Sequence, residues 1–192
     1  DITAVNFGFN FDTIVNTNDV GQGSLRQFIL NANELGNTDL AQAGLIAGVD
    51  NSVFMIPAAG AGGNGEFTIQ PTSALPTITD PVALDGTTQT THIGDTNGSG
   101  PEIEIDGLNA GALVDGISIN ADNSTVHGLV INRFTQHGVF ISGGASGNIV
   151  AGNYIGTNVL GNADRGNLGM GVELNGAGIN NRIGGLVAAD RN

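Results

Sequence analysis

Cysteine, lysine and tryptophan are all missing from this chain. Without Cys there is no disulfide framework, no thiolate metal site and no Cys nucleophile. Without Lys, the five basic residues are all Arg, set against 18 Asp and Glu for a formal net charge of −13. Few cations are available to displace counterions from a phosphate backbone, so nucleic acid is not an expected partner. An acidic surface serves solubility, solvation or divalent cations instead. Aromatics are scarce, with eight Phe and one Tyr, which suits a core of thin Val/Ile/Leu layers. No apolar run approaches the ~20 residues that span a bilayer, so this segment is not expected to enter a membrane. No signal-peptide pattern is present, and the start at Asp1 reads as that of a processed or excised segment.

Glycine is abundant, with 32 residues in 192, more than twice the average usage of about 7%. It follows no collagen-like period, so it belongs to corners and turns. Its placement exposes an internal repeat. Gly138–Gly152 (GVFISGGASGNIVAG) returns 33 residues later as Gly171–Gly185 (GVELNGAGINNRIGG). Val139/Val172, Ile141/Leu174, Asn148/Asn181 and Val150/Ile183 fall in register. Upstream, Gly116–Ile119 aligns with Gly138–Ile141 at a spacing of 22 residues. Short β-branched strands separated by Gly/Asn corners predict an all-β chain winding as a right-handed parallel β-helix, a solenoid. The difference between the two spacings falls in Thr157–Met170, expected to be a loop thrown outward from a regular coil. Asn148 and Asn181 are expected to stack at a corner and hydrogen-bond along the ladder.

Three regions follow. Residues 1–11 place Val5, Phe7, Phe9 and Phe11 on one side of a strand. Residues 12–50 form an N-terminal cap: a short strand Thr13–Thr17, then a capping α-helix Leu25–Asn33. Ser24 and Gln27 make an S-x-x-Q capping box, and Leu25, Phe28, Ile29 and Ala32 make one apolar face. Such a helix is expected to plug the first coil, whose unpaired edges otherwise invite aggregation. Residues 51–192 carry the coils, beginning with Asn51–Pro57, Glu66–Gln70, Ala74–Thr79 and Val82–Gly86. With no cap after Arg191, the coils are expected to continue in a longer polypeptide.

Asp12–Asn33 carries a TNDxGxGSLRQxIxxAN motif, and Leu75–Gln89 reads LPTITDPVALDGTTQ. With the later runs DGISINADNSTVHGLVINRF, NYIGT and RIGG, the chain from residue 12 onward resembles bacterial exported modular proteins with right-handed parallel β-helix repeats. Asp1–Phe11 resembles the tail of a β-sandwich repeat that precedes this cap in such proteins. The resemblance implies a secreted or cell-surface bacterial location and an adhesive or structural role. Partners would be other domains of the same polypeptide or other surface proteins. The motifs are those of a scaffold and name no reaction.

The pectate-lyase-like fold also hosts polysaccharide lyases and hydrolases, so carboxylates need scrutiny. Glu102, Glu104 and Asp106 alternate on one strand face, and they are the catalytic candidates if the chain is carbohydrate-active. The plainer reading is a solvated outer face. Asp95, Asn97, Ser99 and Asp106 partly match a calcium loop, with Asp in place of the usual bidentate Glu and a strand where a helix should follow. Ca²⁺ is thus the one candidate ion, and no cofactor is otherwise expected. In the insertion, Asn158, Asn162, Asp164, Arg165 and Asn167 offer hydrogen bonds to a polysaccharide, with Tyr154 beside them as the aromatic. Asn97 and Asn123 open N-x-S/T acceptor patterns for glycosylation. The expected function is a non-catalytic extracellular scaffold. A carbohydrate-active β-helix and a calcium-dependent assembly unit are the alternatives.

Overall fold

Short strands of two to four residues alternate with glycine corners throughout the structure. It is a computed structural model that describes residues 12–36 and 47–192. The expected strand over residues 1–11, and most of the Ala/Leu/Gly-rich stretch after residue 38, lie outside the described residues.

β1 (Thr13–Ile14) precedes the helix α1 (Leu25–Glu34). Then come β2 (Asp50–Asn51), β3 (Val53–Phe54), β4 (Phe67–Ile69), β5 (Val82–Asp85) and a second helix, α2 (Thr87–Ile93). β6 (Ile103–Asp106), β7 (Ile117–Ile119), β8 (Thr125–His127) and β9 (Leu129–Asn132) follow. β10 (Val139–Ile141), β11 (Ile149–Ala151), β12 (Tyr154–Ile155), β13 (Val172–Leu174) and β14 (Arg182–Ile183) complete the order. Every pairing between these strands is parallel. The sheets run β1-β3, β7-β10-β13, β2-β5-β8-β11-β14 and β4-β6-β9-β12. From β7 onward the chain visits the last three sheets in rotation, one strand in each. Among the described residues the fold is therefore mostly parallel β with two short α-helices.

Register follows the sequence repeat. Ile117, Val139 and Val172 are successive partners in one sheet, as are Val126, Val150 and Ile183 in another. Alternate residues point inward, so Ile103 and Leu129, and Ile105 and Ile131, form apolar columns with no exposure. Each such side chain contributes about 1.5–3 kcal/mol through burial. One apolar cluster runs from Ile14 and the buried face of α1 (Leu25, Phe28, Ile29, Ala32) to Val150.

Two local expectations change, and one element is added. Ser24 accepts the N–H of Gln27 at 3.2 Å, but the Gln27 side chain donates to Asn31 at 2.8 Å, so the capping box is only half made. Ala74–Thr79 is no strand; only Ile78 bridges, to Ile119. α2 was not foreseen, because TTQTTHI has no apolar period. It serves the edge of β3, whose Phe54 N–H donates to Thr88 Oγ1 and whose neighbour Ile56 exchanges two hydrogen bonds with the buried Gln89 amide. Those backbone groups would otherwise be orphaned.

Asparagines tie the turns together. Asn148 Oδ1 accepts Ser124 N–H at 2.8 Å, and Asn148 Nδ2 donates to Asn181 Oδ1 at 3.0 Å. A second column, not foreseen, has Asn153 Oδ1 accepting Leu129 N–H and Asn153 Nδ2 donating to Asn192 Oδ1.

Candidate functional site

Most strands show one buried and one half-open face, whereas β6 and β9 are buried on both. Part of the cover comes from the insertion after β12, whose Thr157 O and Arg165 meet Asn132 and Glu104. It was expected to project outward, yet it folds back across the outer face of the β4-β6-β9-β12 sheet. Thr157 and Asp164 close it with an antiparallel bridge. The N–H groups of Leu168 and Gly169 donate to the carbonyls of Phe134 and Gln136. Asn97 Nδ2 donates to Val159 O at 2.8 Å, locking the insertion to the turn before β6. Outward loops cost nothing in register, but this one buries polar backbone that must be matched, and the turns after β9 and before β6 supply the matches.

The acidic strand is consequently not the solvated face expected of it. Glu102, Glu104 and Asp106 are 4%, 3% and 0% exposed. Each has its own partners. Asp106 is paired with the Arg133 guanidinium and also accepts from Gln70 Nε2 and Leu108 N–H. Burial pushes its carboxyl up, but the bonds from Arg133, Gln70 and Leu108 and the Arg133 charge outweigh this and hold it below its ordinary value. Glu104 accepts from Thr68 Oγ1 at 2.8 Å and Asn132 Nδ2 at 2.9 Å, with Arg165 Nη1 at 3.4 Å. Glu102 accepts only the Thr90 hydroxyl, at 2.6 Å, among the described residues. Arg133 adopts a left-handed backbone (φ 59°), a conformation that side chains with a Cβ rarely take. The ion pair with Asp106 occupies that strained corner.

The calcium-loop residues are not assembled as ligands. The Asn97 amide donates to Pro101 O and Val159 O, and both Asp106 oxygens face protein donors. Asp95 stays exposed, and Ser99 N–H leans on Asn97 Oδ1 at 3.4 Å. Among the described residues no group of three or more Asp, Glu or His is placed to hold a metal. The burial of Asn97 also closes that glycosylation acceptor in the folded chain.

The insertion's polar residues turn mostly on the insertion itself. Asn158 Oδ1 accepts the N–H groups of Asn162 and Ala163, and Asn158 Nδ2 donates to Asn162 Oδ1. Asp164 accepts Gly166 N–H at 2.9 Å. Asn167 accepts Phe134 N–H and donates to Ile131 O. Arg165 reaches inward to Glu104. Tyr154 donates to Ser99 O at 2.7 Å, and its ring sits where a Cβ on Gly100 or Gly161 would stand. It is half-buried packing rather than an open platform.

Arg133, Thr90 and Asn132, which complete the carboxylate environment, carried no local signal, because they lie 12 to 28 residues from the acids they meet. His127 Nδ1 lies 3.2 Å from Asp85 Oδ1. His137 Nδ1 accepts Met170 N–H, while its Nε2 meets Glu173 at 2.6 Å. No protein-family model matches the sequence.

Proposed function

We propose that this chain is a non-catalytic structural or adhesive scaffold, a right-handed parallel β-helix segment of a secreted or cell-surface bacterial protein. The rotation of strands through three parallel sheets supports the helical winding. The strong right-handed preference of parallel strand connections supports its hand. α1 then serves as the cap on the first turn. The observation that carries the non-catalytic reading is the state of the acidic strand. Asp106 and Glu104 face arginines and amides from inside the protein. A general acid or a nucleophile must instead reach substrate. The scaffold presents its loops or spaces neighbouring domains.

A polysaccharide depolymerisation screen, run with and without Ca²⁺, tests this. The expected result is no product from any substrate in either condition. Product formation that disappears in a folded Glu104→Gln or Asp106→Asn variant would overturn the scaffold reading. The melting temperature is expected to be unmoved by EDTA; a drop of several degrees would restore the calcium-dependent assembly unit.

A further inference from the structure

β6 contains an internal comparison. Of the two carboxylates on its outer side and Glu102 just before it, two have a cation, Arg133 for Asp106 and Arg165 for Glu104. Glu102 is equally buried, at 4% exposure, and has none among the described residues. An ionised carboxylate removed from water without a countercharge is costly, and one hydroxyl does not compensate it. Glu102 lines a cleft of about 310 Å³, bounded by Thr87, Thr90, Asp95, His127 and Gly128. That volume is at the lower end for a small-molecule site.

The walls of the cleft are rich in acceptors. Asp95 adds a second carboxylate, and among the described residues no Arg lines the cleft. When His127 donates from Nδ1 to Asp85, its Nε2 keeps a lone pair, and that nitrogen sits at the Gly152 rim. Thr87 and Thr90 already direct their hydroxyl protons to Asp85 and Glu102, which leaves their oxygens as acceptors. A ligand here must bring both positive charge and several N–H donors. A primary ammonium brings three donors on one compact charge. A metal ion fits less well, since among the described residues no cluster of three Asp, Glu or His is placed for one.

We propose that this cleft binds a small molecule bearing a protonated primary amine, with Glu102 as its buried counter-ion. The inference does not rest on the scaffold reading. Two sources share this chemistry, an amino sugar and an aliphatic diamine.

The test is an amide-resolved NMR titration of the ¹⁵N-labelled 192-residue chain with D-glucosamine and with 1,4-diaminobutane. N-acetylglucosamine and CaCl₂ serve as controls. The expected result is saturable shifts at Thr90, Asp95, Gly98 and Gly128 with at least one amine and none with the acetylated sugar. The tighter amine identifies the source. Glu102→Gln is expected to weaken binding about tenfold or more, in line with a lost charge-assisted hydrogen bond. Should Glu102→Gln not fold, the exposed Asp95→Asn substitution is expected to weaken binding several-fold. The proposal is overturned if neither amine saturates at millimolar concentration. Equal binding of the acetylated sugar, or the same shifts with CaCl₂ alone, also overturns it. So does wild-type affinity in the folded variant.

Discussion

Val139 and Val172 hold the same position in successive strands, as do Ile141 and Leu174, and Val150 and Ile183. The first member of each pair is fully buried. Leu174 and Ile183 are 48% and 41% exposed, and Val172 is half-buried. Residue type barely differs between the two copies, so residue type does not set burial. β10 and β11 have a strand on either side, whereas β13 and β14 each end their sheet. In a parallel sheet an apolar side chain is covered by the strands paired on either side of its own. The same sequence pattern is thus fully buried where a strand pairs on both sides and half-covered where one side of the strand is unpaired.

Ion pairs give the largest expected contrast. Arg133→Ala strands the buried Asp106 carboxylate and is expected to cost about 3–5 kcal/mol in denaturant unfolding. Arg182→Ala removes the pair with Asp190, which lies in the outer turn with its side chains 46% and 33% exposed, and is expected to cost at most about 0.5 kcal/mol. Equal losses would mean that the outer turn is as integral as the interior. Core truncation comes next. Ile141→Ala is expected to cost about 2–5 kcal/mol through transfer and cavity terms together, against less than about 1 kcal/mol for Leu174→Ala at its half-covered site. A costly Leu174→Ala would show that something covers that face in solution.

The asparagine column sharpens the comparison at a smaller scale. Asn148→Ala leaves the buried Ser124 N–H without its acceptor and is expected to cost about 1–3 kcal/mol. Asn181→Ala, one layer further out, should cost less than Asn148→Ala in the same unfolding assay. The subtlest contrast is with pH. The Asp106 carboxyl titrates below its ordinary value of 3.8 when folded. As pH falls past that value the unfolded chain takes up the proton first. The stability from the Arg133 pairing is therefore complete only above about pH 5 and drains away as pH drops through the folded-state value. Asp106→Asn is expected to flatten that acid limb of the melting curve. Parallel curves for wild type and variant would remove Asp106 as its source.

Much of the scaffold was legible in the sequence because its signals are local or periodic. Ser24 marks the start of α1, and the 22- and 33-residue spacings reappear as strand register and as hydrogen bonds between layers. α2 was not legible, because Thr87–Ile93 is held by Gln89 and Thr88 reaching to a strand more than 30 residues earlier. The acidic strand was seen, but its burial was not. The residues that cover it come from β9 and from an insertion 61 residues away, and one-dimensional alternation carries no information about a lid. Asn148 and Asn181 were found through the repeat, while Asn153 and Asn192 form a like column without a matching repeat position and went unseen.

The insertion that folds back over β6 also bears on how the molecule comes apart. Most links between layers join residues 22 to 36 positions apart, but Asn97–Val159 and Tyr154–Ser99 join residues 62 and 55 positions apart. A chain unzipping from β13 and β14 would break only bonds of the shorter kind at first. On reaching the insertion it must release bonds to turns deeper in the stack before another strand can leave. The clasp is expected to act as a stop on that unzipping, because its bonds must break before the strands beneath it can separate.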